Sequence, residues 1–189
     1  MKEALLVVDV QRDFCEGGAL AAFDTSSFLK PLQVCIDAAR RARRTIVFTQ
    51  DWHPSNHISF RARGGSWPVH CVAGTTGAEL MPLLSVQLED IVVQKGTERN
   101  LPGYSAFECT DLANTLRRTG IVSVAICGIA AECCVLASAL DAVAAGFRVV
   151  VLLNLIRPIR PFAAGPVLRE LRHGGVELIH ADSWLRGPP

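Results

Sequence analysis

The sequence predicts a three-layer α/β/α domain, Rossmann-like, built on a mainly parallel six-stranded sheet. Three observations carry that prediction. Short apolar or β-branched runs recur six times along the chain. Helical patterns lie between several of them, and strands alternating with helices are what a parallel sheet with crossover helices requires. Four of the runs end in polar or glycine-bearing segments with reactive side chains, and open parallel sheets gather ligands at those strand ends.

Ala4 to Val10 (ALLVVDV) is a near-continuous apolar run and suits a central strand buried on both faces. Asp9 stands at its carboxyl end, before the loop QRDFCEGGAL; an aspartate there serves equally well as a turn or capping residue. Ser26 or Ser27 can cap a helix running to about Arg43, with Phe28, Leu32, Cys35, Ile36 and Ala39 on one face. Thr45 to Gln50 is the second strand and leads into Asp51-Trp52-His53. Glu89 to Gln94 is the third and delivers Lys95, a residue that more often snorkels at a surface. Thr110 opens a helix that Gly120 ends. Ile121 to Ile126 is the fourth strand, Gly128 breaks the run, and a helical pattern of Val135, Leu136, Ala139, Leu140 and Val143 follows Glu132. Phe147 to Leu153 is the fifth strand, Phe162 to Arg172 a helix, and Val176 to Ile179 the sixth strand. Residues 1–189 read as one domain, with 186–189 (RGPP) a loose tail.

Bulk properties exclude several classes. Net charge is +1, so nothing marks a nucleic-acid or anionic-membrane binder. Arg40, Arg41, Arg43 and Arg44 cluster at a helix end, where they suit the dipole and solvent. Residues 121–140 hold a single charge, yet Glu132 and Gly128 argue against a membrane span. Seven scattered cysteines with no CxxC suggest neither a zinc knuckle nor a disulfide framework. The opening MKEALLVVDV enters a strand at once and leaves no room for a cleaved signal peptide, so a reducing, cytoplasmic setting is expected.

Cys133 and Cys134 sit where the fourth strand's turn becomes a helix. Unpaired N–H groups there favour a thiolate, although buried thiols without chemistry are common. Asp51 and His53, two apart in an extended segment, point to one side; His70 can close a His₂-carboxylate set with open positions, the pattern of a catalytic metal site. Plain surface-loop histidines are the alternative. A redox pair at Cys133–Cys134 is disfavoured, because adjacent cysteines form a strained ring. Taken together, the strand ends bring an acid/base, a metal site, a cation and a nucleophile to one sheet edge.

The segments VVDVQRDFCEGGAL, DWHPSNHISF, WPVHCVAGTTGAEL, VVQKGTERNLPGYSAF, GIAAECCVLASALDAVAAGF and LLNLIRPI occur in that order. In this the chain resembles the nicotinamidase branch of the isochorismatase-like cysteine hydrolases. The resemblance implies that family's fold and a triad of Asp9, Lys95 and Cys134. Cys134 is chosen because the family's nucleophile follows G-[IV]-A-x-[DE]-x. The resemblance further implies a non-proline cis peptide between Ile129 and Ala130, and an oxyanion hole from the N–H groups of Ala130 and Cys134. It implies one divalent ion (zinc, iron or manganese) on Asp51, His53 and His70, with His57 a weaker candidate. Phe14 and Trp67 would sandwich a pyridine ring whose nitrogen meets the ion directly or through water, and Tyr104 would line the same pocket.

The implied activity is hydrolysis of nicotinamide to nicotinate and ammonia through a cysteine thioester, in NAD salvage, with pyrazinamide also accepted. The alternative enzyme is a metal-dependent cysteine amidase of the family acting on another small amide. A catalytically silent module is a further alternative, against which the intact triad argues. The expected partner is the small-molecule substrate, without nucleic acid or membrane, in a monomer or homo-oligomer. Two positions depart from the family pattern: Asn154 stands where an aspartate is usual, and Cys133 precedes the nucleophile.

Overall fold

The computed structural model describes residues 2–186. Strands β1 (Lys2–Val8), β2 (Thr45–Asp51), β3 (Ile91–Lys95), β4 (Ile121–Ile129), β5 (Arg148–Arg157) and β6 (Glu177–Ile179) form one sheet. All pairings are parallel, in the order β3-β2-β1-β4-β5-β6. Helices α1 (Thr25–Arg41), α2 (Leu112–Arg118), α3 (Leu136–Ala144), α4 (Ala164–His173) and α5 (Ala181–Arg186) cover its two faces.

β1 shows why three layers form. Its side chains alternate between faces, and both faces are apolar. Leu5 and Val7 pack with Phe28, Leu32 and Ile36 of α1 and Trp184 of α5. Ala4, Leu6 and Val8 pack with Leu116 of α2, Val135 and Ala139 beside and in α3, and Leu171 of α4. Phe28, Leu32 and Ile36 are fully buried, so truncating any one to alanine costs ~2–5 kcal/mol.

Connections from β1 run outward to β2 and β3, and those from β4 run the other way to β5 and β6. The crevice between the carboxyl ends of β1 and β4 is therefore the switch point where α/β sheets bind ligands. Gly128 (φ 117) makes the close approach there possible, since a Cβ on it would lie 2.1 Å from the Val8 carbonyl oxygen.

Several boundaries differ from the sequence expectation. α1 begins at Thr25 and is entered through Asp24 in the left-handed region (φ 53), not capped by Ser26 or Ser27. Arg157 fixes that entry by donating from Nε to the Asp24 carbonyl at 3.0 Å. The helix expected from Phe162 starts as a short 3₁₀ turn, Pro161–Ala163, before α4.

α5 was not expected from the sequence. Arg186, expected in the tail, is its last residue, and residues 187–189 lie outside the described ones. Trp184 of α5 is buried under the Arg44 guanidinium, 4.0 Å from its ring centroid. The arginine cluster is partly structural: Arg40 pairs with Asp90 at 2.6 Å and Arg44 with Glu3 at 3.1 Å. Among the described residues, no helix is long and apolar enough to cross a membrane.

Candidate active site

β1, β2, β3 and β4 end beside one another, so Asp9, Asp51, Lys95 and the Ile129–Cys134 segment meet at one edge. Asp9 has φ 47, a left-handed conformation that aspartate tolerates better than most residues. Thr49, buried in β2, holds it twice: Thr49 Oγ1 accepts the Asp9 N–H at 3.1 Å and donates to Asp9 Oδ1 at 2.6 Å.

Lys95 is at the centre and is almost wholly buried. Its three ammonium hydrogens are directed at Asp51 Oδ1 (2.6 Å), the Gly103 carbonyl (3.1 Å) and Cys134 Sγ (3.3 Å). Asp9 Oδ2 lies 2.8 Å from the same nitrogen but off those axes, and has no aligned donor among the described residues. That oxygen keeps a lone pair for a proton. Burial raises Asp9 and Asp51 adds to this, while Lys95 pulls it down; the net direction is up. Burial would also raise Asp51, but Lys95 and His53 outweigh it and hold that carboxyl low. The two carboxylates thus divide their work, one ready to take a proton and one kept ionised.

Cys134 departs from the electrostatic expectation. It lies within a π-helical turn, Ala131–Val135, that precedes α3, rather than at an α-helix start. Burial pushes its thiol well up, Lys95 opposes, and Asp9 and Asp51 add to the rise. The resting group is a thiol poised beside a carboxylate, so thiolate forms as its proton moves. Cys133 and Val135 N–H both donate to the Ala130 carbonyl at 3.1 Å, and the Cys134 N–H between them takes part in neither bond. The Ile129–Ala130 peptide is cis.

Asp51, His53 and His70 offer ligand atoms within 4.8 Å of one another, all buried. His53 Nδ1 is bonded to the Gly96 carbonyl and His70 Nδ1 to the Pro68 carbonyl, each at 2.8 Å. Those bonds place a hydrogen on each Nδ1 and leave Nε2 as the ligating atom, as metal-binding imidazoles require; His53 Nε2 lies 3.3 Å from Asp51 Oδ2. The donor set therefore fits a divalent ion. His57 stands outside this trio, stacked on His53 at 4.0 Å. Its Nδ1 meets Ser59 Oγ at 2.8 Å, and its buried Nε2 has no partner among the described residues. Burial and the neighbouring His53 push His57 down to about 4, so it is neutral at physiological pH.

Beside the trio lies a narrow cleft. Phe14 and Trp67 line it with Tyr104, and Ala130, Cys133 and Cys134 form its floor. Trp67 Nε1 donates to the Tyr104 hydroxyl at 3.0 Å, which fixes both aromatic walls. All residues expected in a site are thus brought to one place.

An Isochorismatase domain model matches residues 3–183. The chain belongs to the isochorismatase family. A nicotinamidase of Acinetobacter baylyi is 38% identical over 178 residues, covering 82% of this chain and 81% of that protein. The crystal structure of the pyrazinamidase of Pyrococcus horikoshii in complex with zinc superposes with TM-score 0.91 at 42% identity, covering 95% of this chain and 99% of that one. A protein of L. infantum solved in complex with nicotinate gives TM-score 0.88 at 36% identity, over 96% of this chain and 93% of that one.

Residues not singled out from sequence support these groups. Gln11 pairs with the Asp51 backbone like a neighbouring strand, accepting its N–H at 2.8 Å and donating to its carbonyl at 2.8 Å. Gly96 and Gly103 cross so closely that a Cβ on Gly103 would lie 2.3 Å from Gly96 Cα. That crossing ties the acceptor of Lys95 to the acceptor of His53. Thr49 and Gln11 could have been suspected as polar residues in or beside otherwise apolar strand ends. Asn154, the departure from the usual aspartate, accepts the Ala181 N–H at 2.9 Å and so starts α5.

Proposed function

We propose that this chain is a nicotinamidase, hydrolysing nicotinamide to nicotinate and ammonia through a thioester on Cys134, and that it also takes pyrazinamide. NAD salvage in the cytoplasm is the matching role. The observation that carries the assignment is the Lys95 ammonium, which holds two carboxylates and the Cys134 sulfur together beside a cleft lined by Phe14, Trp67 and Tyr104. Relatives with nicotinamidase and pyrazinamidase activity support the substrate class.

The pyridine ring enters between Phe14 and Trp67, with its amide over Cys134. Asp9 Oδ2 takes the thiol proton, and Lys95 offsets the charge growing on sulfur. The thiolate adds to the amide carbon. The resulting oxyanion is received by the N–H groups of Ala130 and Cys134. Asp9 returns its proton to the amine, ammonia leaves and a thioester remains. Water then gives a proton to Asp9 as it attacks the thioester; nicotinate departs and sulfur regains its proton. Asp51, His53 and His70 would hold one divalent ion, with His57 an accessory ligand, and the set suits zinc, iron and manganese alike. When bound, that ion supplies a Lewis-acidic anchor for the ring nitrogen. Every group named belongs to this chain.

Ammonia release from nicotinamide by purified protein tests this, with Cys134→Ala alongside. Release by the wild type that disappears in the variant is expected. Release that survives in the variant would refute the nucleophile. No release from reduced, metal-replete protein would refute the substrate and redirect it to another small amide.

A further inference from the structure

One side of the cleft is built differently from the rest. Leu20 and Ile159 complete the lining, and neither lies in a strand or helix. Ile159 belongs to the segment that leaves β5 and reaches the 3₁₀ turn at Pro161. Ile159 packs against the core, and backbone hydrogen bonds fix the segment around it at the height of the cleft. Phe23 N–H donates to the Pro158 carbonyl at 2.8 Å, and beyond that point the anchor is Glu132. Its Oε1 accepts the Arg160 N–H at 2.8 Å and its Oε2 the Ile159 N–H at 3.2 Å. One carboxylate thus receives two successive backbone donors, a charge-assisted arrangement with strict geometry. Arg160, placed by the same bonds, sets its guanidinium 5.4 Å from the Trp67 ring centroid.

Glu132 lies two residues before Cys134, in the same π-helical turn. It touches no reacting atom in the cycle described above. Its side chain runs from the nucleophile's turn to the wall that faces the substrate ring.

We propose that Glu132 is the specificity-determining positioning residue of this site. Through the N–H groups of Ile159 and Arg160 it clamps the β5 exit segment against the cleft. The clamp fixes the distance between Ile159 and the aromatic wall, and so the size of ring admitted. The substrate class is unsubstituted six-membered aromatic carboxamides, and bulkier rings are excluded by a wall that Glu132 holds in place. The inference rests on the assignment of the ring slot to Phe14 and Trp67.

The test is steady-state ammonia release by Glu132→Gln and Glu132→Ala, with nicotinamide and ring-methylated nicotinamides as substrates. Glutamine keeps one acceptor oxygen for two donors and alanine keeps none, so the effect is graded. For nicotinamide, KM is expected to rise about tenfold in Glu132→Ala and less in Glu132→Gln, with kcat falling by less than about twofold. Selectivity for nicotinamide over the methylated rings falls in the same order. Ile159→Ala provides a second route: it leaves the clamp intact, removes the wall, and is expected to relax selectivity likewise.

Unchanged KM and selectivity in both Glu132 variants would overturn the proposal. So would a fall in kcat at constant KM, which would place Glu132 in the chemical step. If the Glu132 variants fail to fold, unchanged selectivity in Ile159→Ala overturns the wall and relaxed selectivity upholds it. Cys134→Ala run beside them separates the two levels. Inactive Cys134→Ala with indifferent Glu132 variants removes only this inference; active Cys134→Ala removes the assignment beneath it.

Discussion

Replacing Lys95 with methionine should destabilise the fold more than any other single change at the site. Lysine and methionine have similar apolar stems, so the change removes little volume. It removes the ammonium that lies 2.8 Å from Asp9 Oδ2 and 2.6 Å from Asp51 Oδ1. Two buried carboxylates are then left facing each other without a counter-charge. Breaking a buried pair in this way costs ~3–5 kcal/mol. With a urea dependence of ~2 kcal/mol per molar, the unfolding midpoint should fall by about 1.5–2.5 M at pH 8.

The pH dependence has a definite sign. Burial already raises Asp9, and losing Lys95 removes what pulls it down. A carboxyl whose folded pKa lies above its unfolded value, ~3.9, gains a proton more readily when folded. The deficit is therefore full above the folded pKa and shrinks as pH falls through it. Urea titrations of metal-stripped wild type and Lys95→Met at pH 8 and pH 5 read this directly. A deficit under about 1 kcal/mol at pH 8, or one that grows as pH falls, would refute the electrostatic account of Lys95.

Other outcomes follow from the same geometry. Thr49→Val removes the hydroxyl that holds Asp9 Oδ1 and should lower kcat roughly tenfold with little change in KM, while Thr49→Ser restores it; a charge-assisted hydrogen bond of ~1.5–3 kcal/mol sets that scale. Burial first, and then Glu132, push the Cys133 thiol up to about 12. In a Cys134→Ala background, alkylation of Cys133 should accordingly be slow at pH 8 and accelerate only as pH approaches that value; rapid labelling at pH 8 would contradict the burial. Chelation should abolish ammonia release and leave Cys134 alkylation intact, with activity returning on addition of zinc, iron or manganese; full activity after rigorous chelation would exclude the role given to Asp51, His53 and His70.

The parts of this molecule legible in its sequence are those fixed by local pattern. Ala4 to Val8 is apolar on both faces, so a central strand follows, and Asp9 must then emerge at its end. The same logic placed Asp51, Lys95 and Cys134 on one edge, because parallel strands all end on the same side. What escaped depends on partners remote in the chain. The entry of α1 moved to Asp24 because Arg157, 133 residues away, grips it. α5 is too short to show a periodic apolar face, and it is held by Arg44 and started by Asn154. The expectation of an acidic Cys134 considered the turn, but burial and two carboxylates arrive only with tertiary structure and reverse the direction. Glu132 was visible only as a motif position, since its acceptors' partners, Ile159 and Arg160, belong to another element's exit.

The central claim is that Cys134 carries the acyl group. The most direct measurement is mass spectrometry of protein quenched during turnover with nicotinamide, followed by peptide mapping. A pyridine-3-carbonyl adduct on the peptide containing Cys134, located to that sulfur and absent from Cys134→Ala, is the result expected. An adduct on Cys133 instead, or turnover without any acyl-protein when ammonia release precedes nicotinate release, would contradict it.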